Sequence, residues 1–243
     1  MENNMLTKKE SRMIKRQEKL DMREASARRK HVNRYALWGG MLAVLALFIF
    51  GVAKLAIYTG THQTASLAVA VGGEDIFKGG ADAKAVLVEY SDFQCPACAR
   101  YAPMVKAAAE EFGSNIKVVY RHFPLNSIHK NADLAARAAE SAGLQGKFWE
   151  MHDLIFENQS AWAESGSAEG IFTELAHGLG LNADKFKEDL ASSRVKSAVN
   201  DDLRSGELSS VAGTPTFFLN GKIIPNPRSL DEFKKIISAE LGK

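Results

Sequence analysis

Asp92-Phe93-Gln94-Cys95-Pro96-Ala97-Cys98 lies where a strand pattern gives way to a helix pattern, and it contains the only two cysteines of the 243-residue chain. The first N–H groups of a helix have no partners within the helix and carry partial positive charge. A cysteine sulfur placed there is stabilised as the thiolate, which is the species that attacks disulfides. Because there is no third cysteine, the two can bond only to each other or transiently to another molecule. The stretch therefore predicts a thiol–disulfide oxidoreductase.

The residues on either side of this stretch predict a β-α-β unit. A buried strand is expected over residues 85–90, and a helix begins near Pro96, since proline is favoured in a first helical turn. The helix runs to about residue 113, with a kink expected at Pro103 because proline removes a backbone hydrogen bond. A second strand follows over residues 116–123. Such a unit has parallel strands joined by a right-handed crossover.

The second half of the chain begins with a long helical segment and ends with strands. Residues 126–210 show helical patterning throughout, and helices are predicted over 132–142, 147–158, 168–179, 183–192 and 195–208. A strand over 214–219, a turn at Asn220-Gly221, a return strand over 222–225 and a helix from Ser229 to residue 241 complete the chain. The predicted fold class is therefore α/β: β-α-β, an all-helical insertion over about residues 126–210, then β-β-α.

The N-terminal 34 residues are predicted to be a basic cytoplasmic tail. Residues 1–35 hold 11 Lys and Arg against 5 Asp and Glu, a balance of +6 that leaves −4 for the rest of a chain whose net charge is +2. A basic tail can bind nucleic acid, but beside a membrane span its ordinary role is to set topology and to contact anionic lipid. No nucleic-acid partner is therefore expected, and membrane lipid is.

Residues 35–58 are predicted to form one N-terminal transmembrane helix. From Tyr35 to Ala53 there are 19 consecutive uncharged residues, which as a helix would rise about 28 Å and nearly match a hydrocarbon core of about 30 Å. The long basic segment before the span favours an uncleaved anchor over a signal peptide. The positive-inside rule places the N-terminus in the cytoplasm and the cysteines outside it. Residues 59–77 are expected to be a linker, and residues 78–243 the catalytic domain.

The predicted location agrees with the chemistry of the cysteine pair. Disulfides persist outside the cytoplasm, and a bridge that closes so short a loop removes little entropy from the unfolded chain. A catalytic pair is therefore favoured over a structural one.

Several motifs together resemble the DsbA family of extracytoplasmic thiol–disulfide oxidoreductases, which have a thioredoxin fold with a helical insertion. The resemblance covers roughly residues 74–243, and the motifs that carry it occur in the family's order at residues 89–98, 120–125, 135–140, 145–149 and 213–217. The chain resembles those members of the family that are tethered to a membrane.

The resemblance implies a role for each residue around the cysteines. Cys95 would be the exposed nucleophile with a depressed pKa, and Cys98 the buried resolving thiol. The intervening Pro96 and Ala97 would tune the redox potential. Pro215 would be a cis-proline opposite the cysteines, and Thr214 before it would offer its backbone to a substrate strand.

Glu89 is the one carboxylate that we expect beneath the cysteine pair, because it lies on a buried strand six residues before Cys95. Desolvation raises the pKa of a buried carboxyl group, so Glu89 is predicted to accept the proton of Cys98. The alternative is a carboxylate at a strand edge that is bonded to a lysine. His122 and His129 are interpreted as packing or hydrogen-bonding residues, and Phe148 and Trp149 as part of the core of the insertion.

The sequence thus predicts a membrane-tethered enzyme that introduces disulfides into exported cysteine-containing proteins. No cofactor or metal is required, and the family implies a quinone-linked membrane oxidoreductase as the recycling partner. A reductase or isomerase of the same fold remains an alternative, because the direction of electron flow depends on potential and partner. A zinc-binding or scaffold module is a further alternative, although zinc would need two more ligands.

Overall fold

The computed structural model describes residues 65–242, together with Met22, Trp38, Met41, Leu45 and residues 47–51. All of the predicted basic tail (1–34) except Met22 lies outside the described residues, and so do most of the predicted transmembrane helix (35–58) and the start of the predicted linker. The few described residues between positions 38 and 51 are helical. Among the described residues, no helix is both long enough and apolar enough to cross a membrane.

Within residues 65–242, a mixed sheet of five strands lies at the centre of the domain, in the order β1-β3-β2-β4-β5. β2 and β3 pair in parallel, whereas β1 with β3, β2 with β4, and β4 with β5 are antiparallel. β2, β3 and β4 each have a neighbour on both sides, and β2 and β3 are buried along almost their whole length, in agreement with their largely apolar sequences. The strands are β1 (Ile76–Gly79), β2 (Ala85–Ser91), β3 (Ile116–His122), β4 (Thr216–Leu219) and β5 (Lys222–Ile224).

The helices agree closely with the predicted ones, and the predicted fold class is confirmed for the described domain. One helix, α1 (Pro96–Phe112), joins β2 to β3 and contains Pro103. The predicted insertion consists of α2 (Ala132–Gly143), α3 (Phe148–Glu157), α4 (Gln159–Trp162), α5 (Ala168–Gly178), α6 (Ala183–Ala191) and α7 (Ser193–Leu208). The last helix is α8 (Leu230–Leu241). Only the short α4 was not predicted, because four residues carry too little periodicity to distinguish a helix from a loop.

The structure extends the domain into the stretch that we predicted to be a linker over residues 59–77. β1 begins at Ile76 and pairs with β3. Before it, Leu67 N–H donates to the Gly221 carbonyl at 2.9 Å, and Ala68 N–H donates to Ser209 Oγ at 3.0 Å. β1 was not predicted, because it is an edge strand of only four residues that ends in glycine.

The cysteines lie in a hydrophobic cluster that the insertion completes. Cys95, Cys98 and Phe93 share this cluster with buried residues from α2 through α6. α1 and α8 cover one part of the sheet through a second cluster, and α7 covers the opposite face through a third. The cysteine pair is therefore at the junction between the thioredoxin core and the insertion.

Candidate active site

Cys95 and Cys98 are free thiols at the start of α1. Cys95 occupies the N-cap position with an extended backbone (φ −71°, ψ 121°). It retains 8% exposure, whereas Cys98, one helical turn further on, has none. Both cysteines are therefore buried, and Cys95 at the helix terminus is the more exposed of the two, as expected.

The surroundings move the pKa values of the two thiols in opposite directions. The Cys98 thiol first, and then the backbone N–H groups of Cys98 and Ala97 and the Thr214 side chain, favour the anion and lower the pKa of Cys95 to about 5 despite its partial burial. The buried Thr214 hydroxyl has no hydrogen-bond partner of its own among the described residues. Burial raises the pKa of Cys98 far above its ordinary value, and both its hydrogen bond to Cys95 and the charge of Glu89 act in the same direction. Near neutral pH, Cys95 is a thiolate and Cys98 is its hydrogen-bond donor.

The loop before β4 lies against the Cys95 sulfur. Cys95 Sγ lies 3.5 Å from the Thr214 carbonyl oxygen. The Thr214–Pro215 peptide bond is cis, in agreement with the expectation. Asn226 Nδ2 donates to the Pro215 carbonyl at 2.9 Å and ties this loop to the chain after β5.

Glu89 lies on β2, the central strand of the sheet, directly beside Tyr120 of β3. It is 2% exposed, and its Oε1 has no hydrogen-bond partner within the described residues. Burial raises the pKa of Glu89 to about 7, partly opposed by the charge of Lys78 on β1. The alternative of a strand-edge carboxylate bonded to a lysine therefore does not hold, since Lys78 acts only through its charge and its Nζ lies 4.2 Å from the ring centroid of Trp149.

No group of three or more His, Cys, Asp or Glu side chains among the described residues is arranged to hold a metal ion. Two histidines are engaged with separate carboxylates instead. His122 Nε2 lies 3.0 Å from Glu140 Oε1, and His129 Nδ1 lies 2.7 Å from Asp92 Oδ2. Their interpretation as hydrogen-bonding residues is confirmed.

The insertion core agrees with prediction at its aromatic residues. Phe148, Met151 and Phe156 of α3 are buried, with 5%, 0% and 7% exposure, and Trp149 packs partly buried against the same cluster. These side chains form the wall behind the cysteines.

Sequence reasoning missed three polar residues that surround the turn before Cys95. Asp92 and Gln94 are 1% and 4% exposed, and Gln159 of α4 donates from Nε2 to the Phe93 carbonyl at 2.7 Å. A polar residue that directly adjoins a reactive cysteine is a usable signal for Gln94, whereas Asp92 lies three residues before Cys95 and its partners lie in distant loops. Gln159 lies 66 residues away from its partner, and no local pattern indicates it.

Several solved structures have the same fold as residues 65–242. The oxidised form of BdbD from Bacillus subtilis is 24% identical, with a TM-score of 0.66, over 75% of this chain and 100% of that chain. The α-DsbA1 protein from Wolbachia pipientis is 18% identical, with a TM-score of 0.62, over 74% of this chain and 96% of that chain. The catalytic domain of Proteus mirabilis ScsC is 19% identical, with a TM-score of 0.59, over 71% and 92%. The predicted resemblance to DsbA-type oxidoreductases agrees with these neighbours.

Curated relatives match part of the chain within much longer proteins. The Na⁺/H⁺ antiporter NhaA 1 of Salinispora arenicola is 43% identical over 148 residues, which are 61% of this chain and 22% of the relative. NhaA 3 of Salinispora tropica is 40% identical over 157 residues, 65% of this chain and 23% of the relative. The chain thus spans less than a quarter of the length of these relatives. A family model described as thioredoxin matches residues 72–239. The match covers more than half of the chain and includes both cysteines, Glu89 and Pro215. The chain therefore belongs to the thioredoxin family.

Proposed function

We propose that the protein is an extracytoplasmic thiol–disulfide oxidase that introduces disulfides into exported proteins through Cys95 and Cys98. The observation that carries this proposal is the placement of Cys95 at the N-cap of α1 with its sulfur beside the Thr214 carbonyl, and of Cys98 one turn further on with no exposed surface. This placement lowers the pKa of Cys95 and raises the pKa of Cys98. A thiol of low pKa is a good leaving group, so it speeds its own release from a mixed disulfide. Stabilisation of the Cys95 thiolate also favours the reduced enzyme, and this makes the disulfide form a stronger oxidant.

The reaction begins with the Cys95–Cys98 disulfide. A substrate thiolate attacks Cys95 Sγ, the bond between the two enzyme sulfurs breaks, and Cys98 leaves with the electron pair. Because the pKa of Cys98 is raised by burial, its sulfur takes up a proton. A second substrate thiolate then attacks the substrate sulfur of the mixed disulfide and releases Cys95 as a thiolate. Two electrons pass from the substrate to the enzyme, and the substrate gains a disulfide.

Glu89 is proposed as the group that exchanges this proton with Cys98. Its pKa of about 7 makes it able both to donate and to accept a proton near neutral pH. It donates when Cys98 leaves, and it accepts when Cys98 must become a thiolate during reoxidation of the enzyme.

The loop at Thr214 and Pro215 is proposed to bind the substrate. The Thr214 carbonyl is next to Cys95 Sγ, so an extended peptide that pairs with the Thr214 backbone brings its own cysteine to the reactive sulfur. Pro96 and Ala97 are proposed to tune the potential. Ala97 contributes its N–H group but neither charge nor a side-chain hydrogen bond, so the thiolate is stabilised first by the Cys98 thiol and then by backbone N–H groups.

The location and the partners are proposed from the sequence. The span over residues 35–58 would anchor the enzyme in lipid with its N-terminus in the cytoplasm and its catalytic domain outside. A quinone-linked membrane oxidoreductase would reoxidise the Cys95–Cys98 pair. No nucleic-acid partner is proposed.

A trapping experiment tests the proposal. In the Cys98→Ala variant, Cys95 can form a mixed disulfide that no enzyme thiol can resolve, and we expect exported cysteine-containing proteins to accumulate on it. The Cys95→Ala/Cys98→Ala variant is the matched control and should capture nothing. Failure of Cys98→Ala to capture any protein would overturn thiol exchange.

The redox potential tests the direction of electron flow. A potential well above the value of about −270 mV found for thioredoxin supports the oxidase, as does a Cys95–Cys98 pair that is oxidised in cells. A potential near that of thioredoxin with a reduced pair in cells would assign the protein to the alternative, a disulfide reductase or isomerase.

A further inference from the structure

The turn of residues 92–95, directly before α1, is held by buried polar groups that the proposed reaction does not use. The Asp92 side chain has no exposed surface. A buried carboxylate is costly unless hydrogen bonds compensate for the lost water. The hydrogen-bond partners of Asp92 therefore indicate which part of the structure the carboxylate stabilises.

The Asp92 side chain connects Gln94, the residue directly before Cys95, to the loop after β3 by hydrogen bonds. Its Oδ1 accepts the Gln94 N–H at 2.7 Å, and its Oδ2 accepts the Leu125 N–H at 2.9 Å. The third partner of the carboxylate is His129 Nδ1, which lies 2.7 Å from Oδ2 and must carry a hydrogen there, since a carboxylate can only accept. The carbonyl of Asp92 also accepts the Cys95 N–H at 3.1 Å. Every hydrogen-bonding group of the residue except its own N–H thus restrains the turn.

Gln159 holds the same turn from the side of the insertion. Its Nε2 donates to the Phe93 carbonyl at 2.7 Å and to the Cys95 carbonyl at 3.1 Å. The main chain of Cys95 is therefore held at its N–H by Asp92 and at its carbonyl by Gln159.

We propose that Asp92 and Gln159 are positioning residues that hold Cys95 where the backbone N–H groups of α1 reach its sulfur. The N–H groups of Ala97 and Cys98 can point at Cys95 Sγ only while Cys95 keeps its extended N-cap conformation. Neither Asp92 nor Gln159 donates to the sulfur, so each acts through the backbone of Cys95. The inference rests on the proposed function only in taking Cys95 as the reactive thiol.

The two possible effects of the Asp92 carboxylate on Cys95 have opposite signs, and this makes the proposal testable. As a mere negative charge, Asp92 opposes the thiolate, and its neutralisation would lower the pKa of Cys95. As an anchor, it supports the thiolate, and its loss raises that pKa. Asp92→Asn removes the charge and also replaces one acceptor oxygen by an NH₂ group, which cannot accept from Leu125 or His129.

The experiment is a pH titration of the Cys95 thiolate by its ultraviolet absorbance in the reduced full-length protein, for wild type, Asp92→Asn and Gln159→Met. We expect the midpoint to rise by about one pH unit in each variant, as expected for weakened hydrogen bonding to an anion. Alkylation of Cys95 at a pH near the wild-type midpoint should slow accordingly.

Asp75→Asn is the matched control, because Asp75 is also a carboxylate of low exposure, 9% for its side chain, with three donors. Gly72 N–H donates to its Oδ2 at 2.7 Å, and Arg121 donates to its two oxygens at 2.7 and 2.9 Å. The control should lower the free energy of unfolding without moving the thiolate midpoint.

An unchanged or lowered midpoint in Asp92→Asn would overturn the positioning role of Asp92, as would an equal rise in Asp75→Asn. If Asp92→Asn does not fold, Gln159→Met decides by the same criterion. A raised midpoint in a protein that traps no substrate would refute the proposed function and leave the positioning role intact.

Discussion

Replacement of Glu89 by glutamine gives a direct test of the buried carboxyl group, because the effect must depend on pH in a defined way. Glu89 is 2% exposed, and burial raises its pKa from the ordinary value of 4.5 to about 7. The folded protein therefore holds this proton more tightly than the unfolded chain does. The stability of the wild type falls as pH rises from the unfolded pKa to the folded one, and Glu89→Gln removes this loss.

The size of the effect follows from the two pKa values of Glu89, 4.5 when unfolded and about 7 when folded. Because one pKa unit corresponds to about 1.4 kcal/mol, ionised Glu89 costs the folded state roughly 3 kcal/mol at pH values above about 7 and almost nothing below about 4. A new buried NH₂ group also costs free energy in the variant, but that cost is the same at every pH. The difference between the free energies of unfolding of Glu89→Gln and wild type should therefore shift by about 3 kcal/mol in favour of the variant between about pH 4 and about pH 8.

Urea unfolding across this pH range measures the difference. The Cys95–Cys98 disulfide is kept closed in both proteins, so that no thiol titrates. Glu188→Gln, which removes an exposed carboxylate on α6, controls for the change in net charge.

A difference between Glu89→Gln and wild type that stays constant from about pH 4 to about pH 8 would refute the raised pKa and, with it, the role of Glu89 as a proton donor and acceptor near neutral pH. A shift of similar size in Glu188→Gln would show that long-range charge, and not burial, produces the effect.

Three further predictions follow from the same structure. Iodoacetamide should alkylate one thiol of the reduced protein, with a midpoint of reactivity near pH 5, the pKa of Cys95. Cys95→Ser should abolish this alkylation because Cys98 has 0% exposure; two equivalents of label per protein would contradict this. Thr214→Val removes a buried hydroxyl that has no hydrogen-bond partner among the described residues and that lowers the pKa of Cys95. The variant should raise that midpoint by about one pH unit, since a hydrogen bond to a charged group is worth about 1.5 kcal/mol or more; an unchanged midpoint would show that the hydroxyl does not donate to the ionised sulfur. A Cβ at Gly206 in α7 would lie 2.5 Å from the Phe123 ring, so Gly206→Ala should destabilise the fold through overpacking by about 1–3 kcal/mol in thermal unfolding. This loss is expected although alanine is the better helix former by about 1 kcal/mol; a raised melting temperature would show that the ring can move.

The parts of the fold that sequence patterns predicted are those whose signals are local. β2 and β3 are largely apolar because both lie in the interior of the sheet. The turn between β4 and β5 has positive φ values at Asn220 (47°) and Gly221 (78°), which only a few residue types adopt readily. β1 carries no such signal. It is short, it includes Lys78, and pairing with β3 is what makes it a strand.

The same distinction separates the site residues. Cys95, Cys98 and Glu89 could be predicted because their roles follow from position along one strand and one helix. Asp92 and Gln159 could not, because their roles follow from contacts with loops and helices far away in sequence, such as the hydrogen bond from Leu125, 33 residues on. Hydrogen bonds of this kind are made by tertiary packing and leave no periodic pattern.

The opposite pKa shifts of the two cysteines have different structural origins. α1 supplies the N–H groups that stabilise the Cys95 thiolate, a property of any helix N-terminus. The shift of Cys98 arises first from burial, and the cluster that buries it is formed largely by the insertion, including Met151 and Phe156. The insertion also provides Gln159, which holds the Cys95 carbonyl. The insertion therefore contributes directly to the chemistry of the site. Without its packing, the Cys98 thiol would ionise more readily, and the difference in pKa between the two sulfurs would shrink.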